Sequence, residues 1–400
     1  MQHRVLPLLM SMVVLSPMAI DIFLASVPVM AVDLNASTSQ VQSTISIFFF
    51  AMGLGQIFVG PVADRYGRKV VALAGLFVYS SSSLLIALSA DIVIMQWLRL
   101  FQGLAACAIS VVIFSVVRDS FPYHRISKIY SYLNGVLSVI PASAPIVGTF
   151  MAAYFGWRST FVFMALYALL VFVVVLLWLP ETLSAENKAR KTKQSLYDLK
   201  QYLTIVTDGC FMFYALCCMA GMAAILTYVS YAPLWLIAHL DVSMTTFSLL
   251  FGLNALVGIT AAFVAPVLIN KYGNRKVVII ALTLMLGCAL VLCVLSSGFY
   301  LTGMLAAFAF MGPIMLLSAG LSFVLGPATS MALAQFSDRA GTASALLGFI
   351  QMVGASIIVL LVQHSSLLAP MAVVVVLAVF VVPLLLVINN KRFADWHCER

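Results

Sequence analysis

Long runs of apolar residues, separated by short polar stretches, recur from one end of the chain to the other. A helix needs ~20 mostly apolar residues to cross the hydrocarbon core of a bilayer, and runs of this length predict twelve membrane-spanning helices. They are placed near residues 5–32, 41–62, 70–89, 92–115, 128–153, 159–179, 209–232, 245–268, 277–296, 299–328, 340–362 and 367–388. The tenth is the least regular, because Gly312-Pro313 and Gly326-Pro327 interrupt it. The pattern predicts an all-α membrane protein.

Composition leaves no room for a water-soluble domain. Hydrophobic residues make up 64% of the 400 and charged residues only 8%, whereas soluble domains carry roughly 25% charged residues. The first apolar run is longer than the core of a signal peptide and contains an acid, Asp21. We therefore interpret it as a retained first helix.

The basic residues indicate the orientation of the chain. With the N-terminus inside, every Lys and Arg except Arg99 and Arg158 falls in a predicted cytoplasmic segment, as the positive-inside rule requires. Both termini are therefore expected in the cytoplasm. The net charge of +8 is attributed to this topology, and no nucleic-acid partner is expected.

A polar stretch over residues 181–208 divides the chain into an N-terminal half, 1–180, and a C-terminal half, 209–400. A weak repeat supports the division, because Pro61 to Val71 resembles Pro266 to Val278, each after the second span of its half. Two parallel six-helix halves with a substrate cavity between them at the membrane midplane are the architecture this predicts. Since one chain holds both halves, we expect it to function as a monomer.

Asp21 in the first span and Arg99 in the fourth are the charged residues that lie deep in the predicted spans. Charge inside the membrane is costly and marks functional positions. Both lie at depths of about 11–16 Å from the same membrane surface, so their side chains could approach each other. The pair could simply lock two helices together, or Asp21 could gain and lose a proton during transport while Arg99 biases that exchange.

Two further segments carry unusual patterns. The turn after the second span combines glycines, which permit tight turns and close helix approach, with charges that can contact neighbouring helix ends; its residues are Gly60, Asp64, Arg65, Gly67, Arg68 and Lys69. The alternative is a basic loop that serves topology alone.

The fifth span combines small residues, which allow close packing, with prolines, which favour kinks: Gly135, Pro141, Pro145 and Gly148. An ordinary kinked membrane helix is the alternative there.

With these motifs the chain resembles the major facilitator superfamily, and within it the drug/proton antiporters of the bicyclomycin-resistance and chloramphenicol-efflux (Bcr/CflA) type. The turn after the second span matches at all six positions named above. Arg99-Leu-Phe-Gln-Gly103 resembles the fourth-span motif, and the segment around Asp21 up to Pro28 resembles the first-span signature. The fifth span departs from the antiporter motif, with Ala144 and Thr149 in place of glycines.

The resemblance implies a proton-coupled multidrug exporter of the bacterial inner membrane that moves small lipophilic antimicrobial compounds by alternating access. The proton gradient is the energy source, no cofactor is expected, and the partners are the substrate, protons and the lipid bilayer. Asp21 would carry the proton and Arg99 would bias its exchange. Candidates for the substrate cavity are Asn134, Tyr228, Tyr231, Asn254 and Gln351.

Other functions are less well supported. A proton symporter for a nutrient or metabolite is the alternative on the same fold, although uptake of polar solutes usually needs more buried polar groups than these spans supply. A membrane enzyme is disfavoured because no cluster of His, Asp and Glu lies on a span, and the seven cysteines and five histidines show no metal-ligand spacing. A receptor would require a signalling domain that the sequence does not contain.

Overall fold

The computed structural model describes residues 2–183, 199–298, 302–336, 339–365, 367–390 and 393. Within these ranges twelve helices are long and apolar enough to cross a membrane, which confirms the predicted all-α fold. The tenth is one continuous helix, Gly303–Leu333, through both Gly-Pro pairs. Residues 184–198, most of the predicted linker 181–208, lie outside the described residues, as do 299–301, where the tenth span was predicted to begin.

Contacts within the chain separate it into two units, residues 1–198 and 199–400. The helices of the first unit are span 1 (Gln2–Val13, Leu15–Asp21, Leu24–Ser26 and Val27–Asp33), span 2 (Thr38–Tyr66), span 3 (Arg68–Leu88), span 4 (Ile92–Ser120), span 5 (Tyr123–Phe155) and span 6 (Arg158–Trp178). Several helices are longer than predicted, and span 4 continues to Ser120.

The second unit begins with a short helix, Leu199–Val206. Its membrane helices are span 7 (Gly209–Pro233 and Leu234–His239), span 8 (Met244–Tyr272), span 9 (Asn274–Gly298), span 10 (Gly303–Leu333), span 11 (Ala340–Phe349, Ile350–Gly354 and Ala355–Gln363) and span 12 (Ala369–Asn389). Spans 7 and 11 contain π-helical segments, Leu234–His239 and Ile350–Gly354, which hydropathy did not predict. Such segments occur frequently at functional sites.

Both units pack their helices in the same order. Spans 2 and 3 pack on span 4, span 3 packs on span 6, and span 1 packs on span 5. Spans 8 and 9 likewise pack on span 10, span 9 on span 12, and span 7 on span 11. The turn after the second helix of each unit also repeats, because Gly67 and Gly273 both have a positive φ, of 113° and 80°. This is the arrangement expected of a parallel repeat.

Span 1 is interrupted, whereas the apolar pattern predicted one helix over 5–32. Its helix Leu15–Asp21 ends at Asp21, and a 3₁₀ turn over Leu24–Ser26 follows before the helix Val27–Asp33. The cause is local: Pro28 has no amide hydrogen for the Leu24 carbonyl, and the Val27 amide donates to that carbonyl instead. We call residues 22–26 the break.

Candidate functional site

Asp21 is the last residue of the helix that precedes the break, and it is only 7% exposed. In the described part of the chain, its carboxyl group takes part in no ion pair or hydrogen bond. An ionised group buried without a partner is costly. The position therefore combines a titratable group, burial and the end of a helix.

Arg99 in span 4 is 0% exposed and does not pair with Asp21, so the expected approach of the two side chains to each other is not realised in this structure. Its Nη1 instead donates to the Ala19 carbonyl at 2.8 Å and to Gln102 Oε1 at 2.6 Å. The carbonyls in the last turn of a helix lack backbone donors. The early end of the helix at Asp21 thus supplies the acceptor that binds the arginine.

Three phenyl rings surround the guanidinium of Arg99. The guanidinium carbon lies 4.4 Å from the ring centre of Phe23, 5.4 Å from that of Phe48 and 5.6 Å from that of Phe161. Nε and Nη2 of Arg99 are buried and have no hydrogen-bond partner among the described residues. The rings, which we call the aromatic cage, therefore stand where a buried cation would normally have a carboxylate. Desolvated cation–π contacts contribute ~2 kcal/mol or more.

Two glycines bring neighbouring helices against this site. A Cβ on Gly103, in the turn after Arg99, would lie 2.3 Å from the Phe48 carbonyl oxygen, so span 4 lies directly on span 2. A Cβ on Gly148 in span 5 would lie 1.6 Å from the carbonyl oxygen of Ile22, the first residue of the break. The antiporter-like motif therefore meets the break at Gly148.

Of the other motif residues of span 5, Gly135 is not held against a neighbouring helix in this way. A Cβ on Gly135 would meet no atom within 4 Å. Pro141 and Pro145 lie within one continuous helix, Tyr123–Phe155. Asn134, a candidate for substrate contact, is exposed, and its backbone carbonyl accepts from the Ser138 hydroxyl.

The turn after span 2 is the centre of a charged junction, formed by Asp64, Arg68, Asp119 and Glu181. The buried Arg68 side chain pairs with Asp64 at 2.5 Å and with Asp119 at 3.2 Å. The Glu181 carboxylate accepts from the backbone amides of Arg68 at 2.9 Å and Lys69 at 3.2 Å, and so caps the N-terminus of span 3. Gly67 has a φ of 113°, which residues with a Cβ rarely adopt, and this conformation explains the glycine.

Asp119 and Glu181 are not among the residues predicted from the sequence, although each is an acid two residues after the end of an apolar run. Lys69 is one of the residues predicted from the sequence, and it donates to the Leu176 carbonyl of span 6 at 2.8 Å. Gly60 has no atom within 4 Å of an added Cβ, and Arg65 lies over the ring of Tyr66, outside the junction. The motif thus divides into residues that tie helix ends together and residues that do not.

The corresponding turn of the second half lacks the central ion pair. Asn270 and Asn274 occupy the positions that Asp64 and Arg68 hold in the first half. One contact of the first half has a counterpart here. Arg275 donates to the Ile388 carbonyl of span 12 at 2.8 Å, just as Lys69 donates to the Leu176 carbonyl of span 6. The ion-paired junction is therefore a feature of the first half.

Replacing Arg68 with lysine is expected to weaken the junction, because a lysine presents one point charge and cannot reach two carboxylates with a planar fork. We expect the free energy of unfolding to fall by about 1–3 kcal/mol, the range for removing one partner of a buried charged hydrogen bond. Thermal unfolding in detergent measures this. Arg65→Lys is the matched control, and an equal loss in that variant would contradict the assignment.

The candidates for substrate contact in the second half are mostly engaged with neighbouring helices. Tyr231 donates to the Val362 carbonyl at 3.0 Å, and Asn254 accepts from the Ser318 hydroxyl at 2.9 Å. Tyr228 is buried and stacks on the ring of Phe251, with centroids 5.7 Å apart. These contacts join spans 7, 8, 10 and 11.

The π segments hold further candidates. Gln351 lies within Ile350–Gly354 and is partly exposed. Trp235, which sequence reasoning missed, lies in the π segment of span 7, where its Nε1 is buried with no hydrogen-bond partner among the described residues. Its ring stacks on that of His239 at 4.4 Å. The described residues contain no group of three or more His, Cys, Asp or Glu side chains that could hold a metal ion.

Comparison with known proteins places this arrangement in context. The family model of the Major Facilitator Superfamily matches residues 9–359. The multidrug resistance protein MdtL of Escherichia coli O157:H7 is 31% identical over 383 residues, covering 94% of this chain and 93% of that protein; MdtL of Shigella dysenteriae serotype 1 matches to the same extent. The crystal structure of a D-xylose-proton symporter matches with a TM-score of 0.76 at 16% identity, over 97% of each chain. The nucleoside transporter NupG matches with a TM-score of 0.71 at 14% identity, over 95% of this chain and 98% of that one.

Proposed function

The chain belongs to the major facilitator superfamily, and we propose that it is a proton-coupled exporter of small lipophilic antimicrobial compounds. It is a multi-pass membrane protein, which we place in the bacterial inner membrane with both termini in the cytoplasm. Within the superfamily we assign it to the Bcr/CflA-type antiporters, on the motifs around Asp21, Arg99 and the turn after span 2. No cofactor is part of this proposal, and a single chain is the working unit.

The observation that carries the proposal is the state of Asp21. Its carboxyl group is buried in span 1 with no partner among the described residues, at the point where the helix ends. An acid in this setting is neutral while it holds a proton, and it needs a cation or water once it has lost one. We therefore assign Asp21 as the proton carrier, and this structure as the form in which the proton is bound.

Arg99 supplies the cation that the deprotonated carboxylate would need. It donates to the carbonyl of Ala19, two residues before Asp21, while its Nε and Nη2 have no acceptor among the described residues. Loss of the proton would give those groups a partner. The pair would then form in one state and separate in the other, which is how a single acid can couple proton entry to a conformational change.

Export is supported by the relatives, which are named multidrug resistance proteins, and by the motifs shared with the antiporter branch. The apolar character of the spans suits lipophilic substrates. Tyr228, Tyr231, Asn254, Gln351 and Asn134 remain candidates for substrate contact. Of these, Gln351 is partly exposed in its π segment, whereas Tyr231 and Asn254 already bond to neighbouring helices.

Everted membrane vesicles that contain the protein test the proposal. The vesicles are energised so that their lumen is acidic, and chloramphenicol-type or cationic compounds are added while lumenal pH is followed. We expect each transported compound to release protons from the lumen, and vesicles without the protein to show no response. A compound that moves out of the vesicle lumen together with protons would instead identify a symporter. Chemical modification of the compound would identify an enzyme.

A further inference from the structure

The aromatic cage is an unusual environment for a buried arginine. Arg99 has a hydrogen-bond partner for Nη1, but Nε and Nη2 have none among the described residues. The ring of Phe23 comes closest to the guanidinium, at 4.4 Å. Phe23 also lies two residues after Asp21, within the break.

We infer that Phe23 links the proton site to Arg99. While Asp21 holds its proton, the Phe23 ring covers the guanidinium in place of a carboxylate. When Asp21 loses the proton, the break rearranges, the ring moves off, and Arg99 pairs with the carboxylate. This inference deepens the proposed function and rests on it, because it names the residue through which proton loss reaches the arginine.

The other two walls of the cage lie in regular helices. Phe48 lies in the regular helix Thr38–Tyr66, where Gly103 rests on its carbonyl. Phe161 lies in the helix Arg158–Trp178 and packs edge-on against Trp157, with centroids 5.9 Å apart. Phe23 has φ −105° and ψ −1° and belongs to neither adjoining helix. It is therefore the wall that can move without unwinding a helix.

The part of span 1 before the break is tied down. The Tyr79 hydroxyl of span 3 donates to the Leu15 carbonyl at 2.7 Å, and the Tyr167 hydroxyl of span 6 donates to the Ser11 carbonyl at 3.0 Å. Arg99 holds the Ala19 carbonyl. We therefore expect any movement of span 1 near Asp21 to occur in the break, residues 22–26.

Few other titratable groups face the site. Tyr79 of span 3 is the neighbour of Arg99, with Tyr167 of span 6 behind it. Span 2 carries no Asp, Glu, Lys, Arg or His over residues 38–63, and neither does span 5 over 129–155. A change in the proton exchange of Asp21 after a substitution at Phe23 would therefore report on Arg99.

Labelling of Asp21 by dicyclohexylcarbodiimide tests the inference, because this apolar reagent reacts with protonated carboxyl groups in membranes. The labelled fraction at Asp21 is measured by peptide mass spectrometry over a pH series in the unmodified protein, Phe23→Leu and Phe23→Met. Without the ring, Arg99 is free to pair with the carboxylate. We expect the labelling profile to move to lower pH by about one unit, a tenfold change in proton affinity.

Phe48→Leu is the matched control, since it removes a cage ring from a regular helix, whereas the ring of Phe161 packs on Phe23 itself, with centroids 5.3 Å apart. A second control, Phe23→Tyr, keeps the ring. Both should retain the unmodified profile, and thermal unfolding in detergent shows that each variant is folded. An unshifted profile in both Phe23→Leu and Phe23→Met would overturn the inference, as would an equal shift in Phe48→Leu.

The labelling does not depend on transport, so the two proposals can fail separately. A shifted profile together with no substrate-evoked proton release in vesicles would retain the link and reject antiport. Antiport with an unshifted profile would retain the proposed function and reject the link.

Discussion

Replacing Asp21 with asparagine is expected to abolish substrate-evoked proton release, to the level of vesicles without the protein. Asparagine keeps the shape of the side chain but cannot take up or release a proton. The protein should remain folded, because the position is buried with no ion pair among the described residues to lose. Lumenal pH in energised everted vesicles measures the effect, and binding of the same compound to detergent-solubilised protein shows that the substrate site is intact.

Asp91→Asn is the matched control for this substitution. Asp91 is exposed and caps the N-terminus of span 4, where its side chain accepts from the Val93 and Ile94 amides. Asparagine caps a helix about as well as aspartate, so this variant should transport normally. Full proton release in Asp21→Asn would move the coupling site elsewhere. Loss in both variants would indicate that the assay responds to the fold and not to the carboxyl group.

The coupling site and the charged junction lie in the same half of the chain but differ in kind. Asp21 has no partner among the described residues, whereas Arg68 of the junction has two carboxylates and Glu181 accepts from two backbone amides. The first site is suited to a change of charge, and the second to holding helix ends in one arrangement. Asn270 and Asn274 leave the second half without the ion pair.

The spans and the two membrane charges could be predicted from the sequence, because an acid or arginine inside an apolar run is a strong signal. The break in span 1 was missed, since its residues are as apolar as the helix around them. The available signal was Pro28, whose missing amide hydrogen disrupts the turn before it. Asp21 was thus identified as a buried acid, but not as the end of a helix.

The aromatic cage could not be predicted in the same way. The chain contains 27 phenylalanines, and in a membrane protein an apolar pattern does not separate rings that face lipid from rings that face a buried cation. The cavity candidates are polar residues on predicted spans. Tyr231 and Asn254 also bond to neighbouring helices, since a polar group in the membrane needs a partner wherever it lies.

Replacing Gly148 with alanine is expected to have a large effect on both stability and transport. The added Cβ would lie 1.6 Å from the Ile22 carbonyl oxygen, so span 5 or the break must move. Overpacking against side chains costs about 1–3 kcal/mol, and here the obstacle is backbone, so we expect at least that loss. Thermal unfolding in detergent measures the stability, and proton release in vesicles measures the transport.

Gly135→Ala makes the opposite prediction on the same helix and within the same motif. A Cβ there would meet no atom within 4 Å, so the substitution only removes the entropic cost of a helical glycine and should stabilise by about 0.5–1 kcal/mol. Transport should be unchanged. If the two variants behave alike, the motif acts through the flexibility of the helix. If Gly148→Ala alone fails, the motif acts through its contact with the break beside Asp21, and the fifth span is part of the proton site.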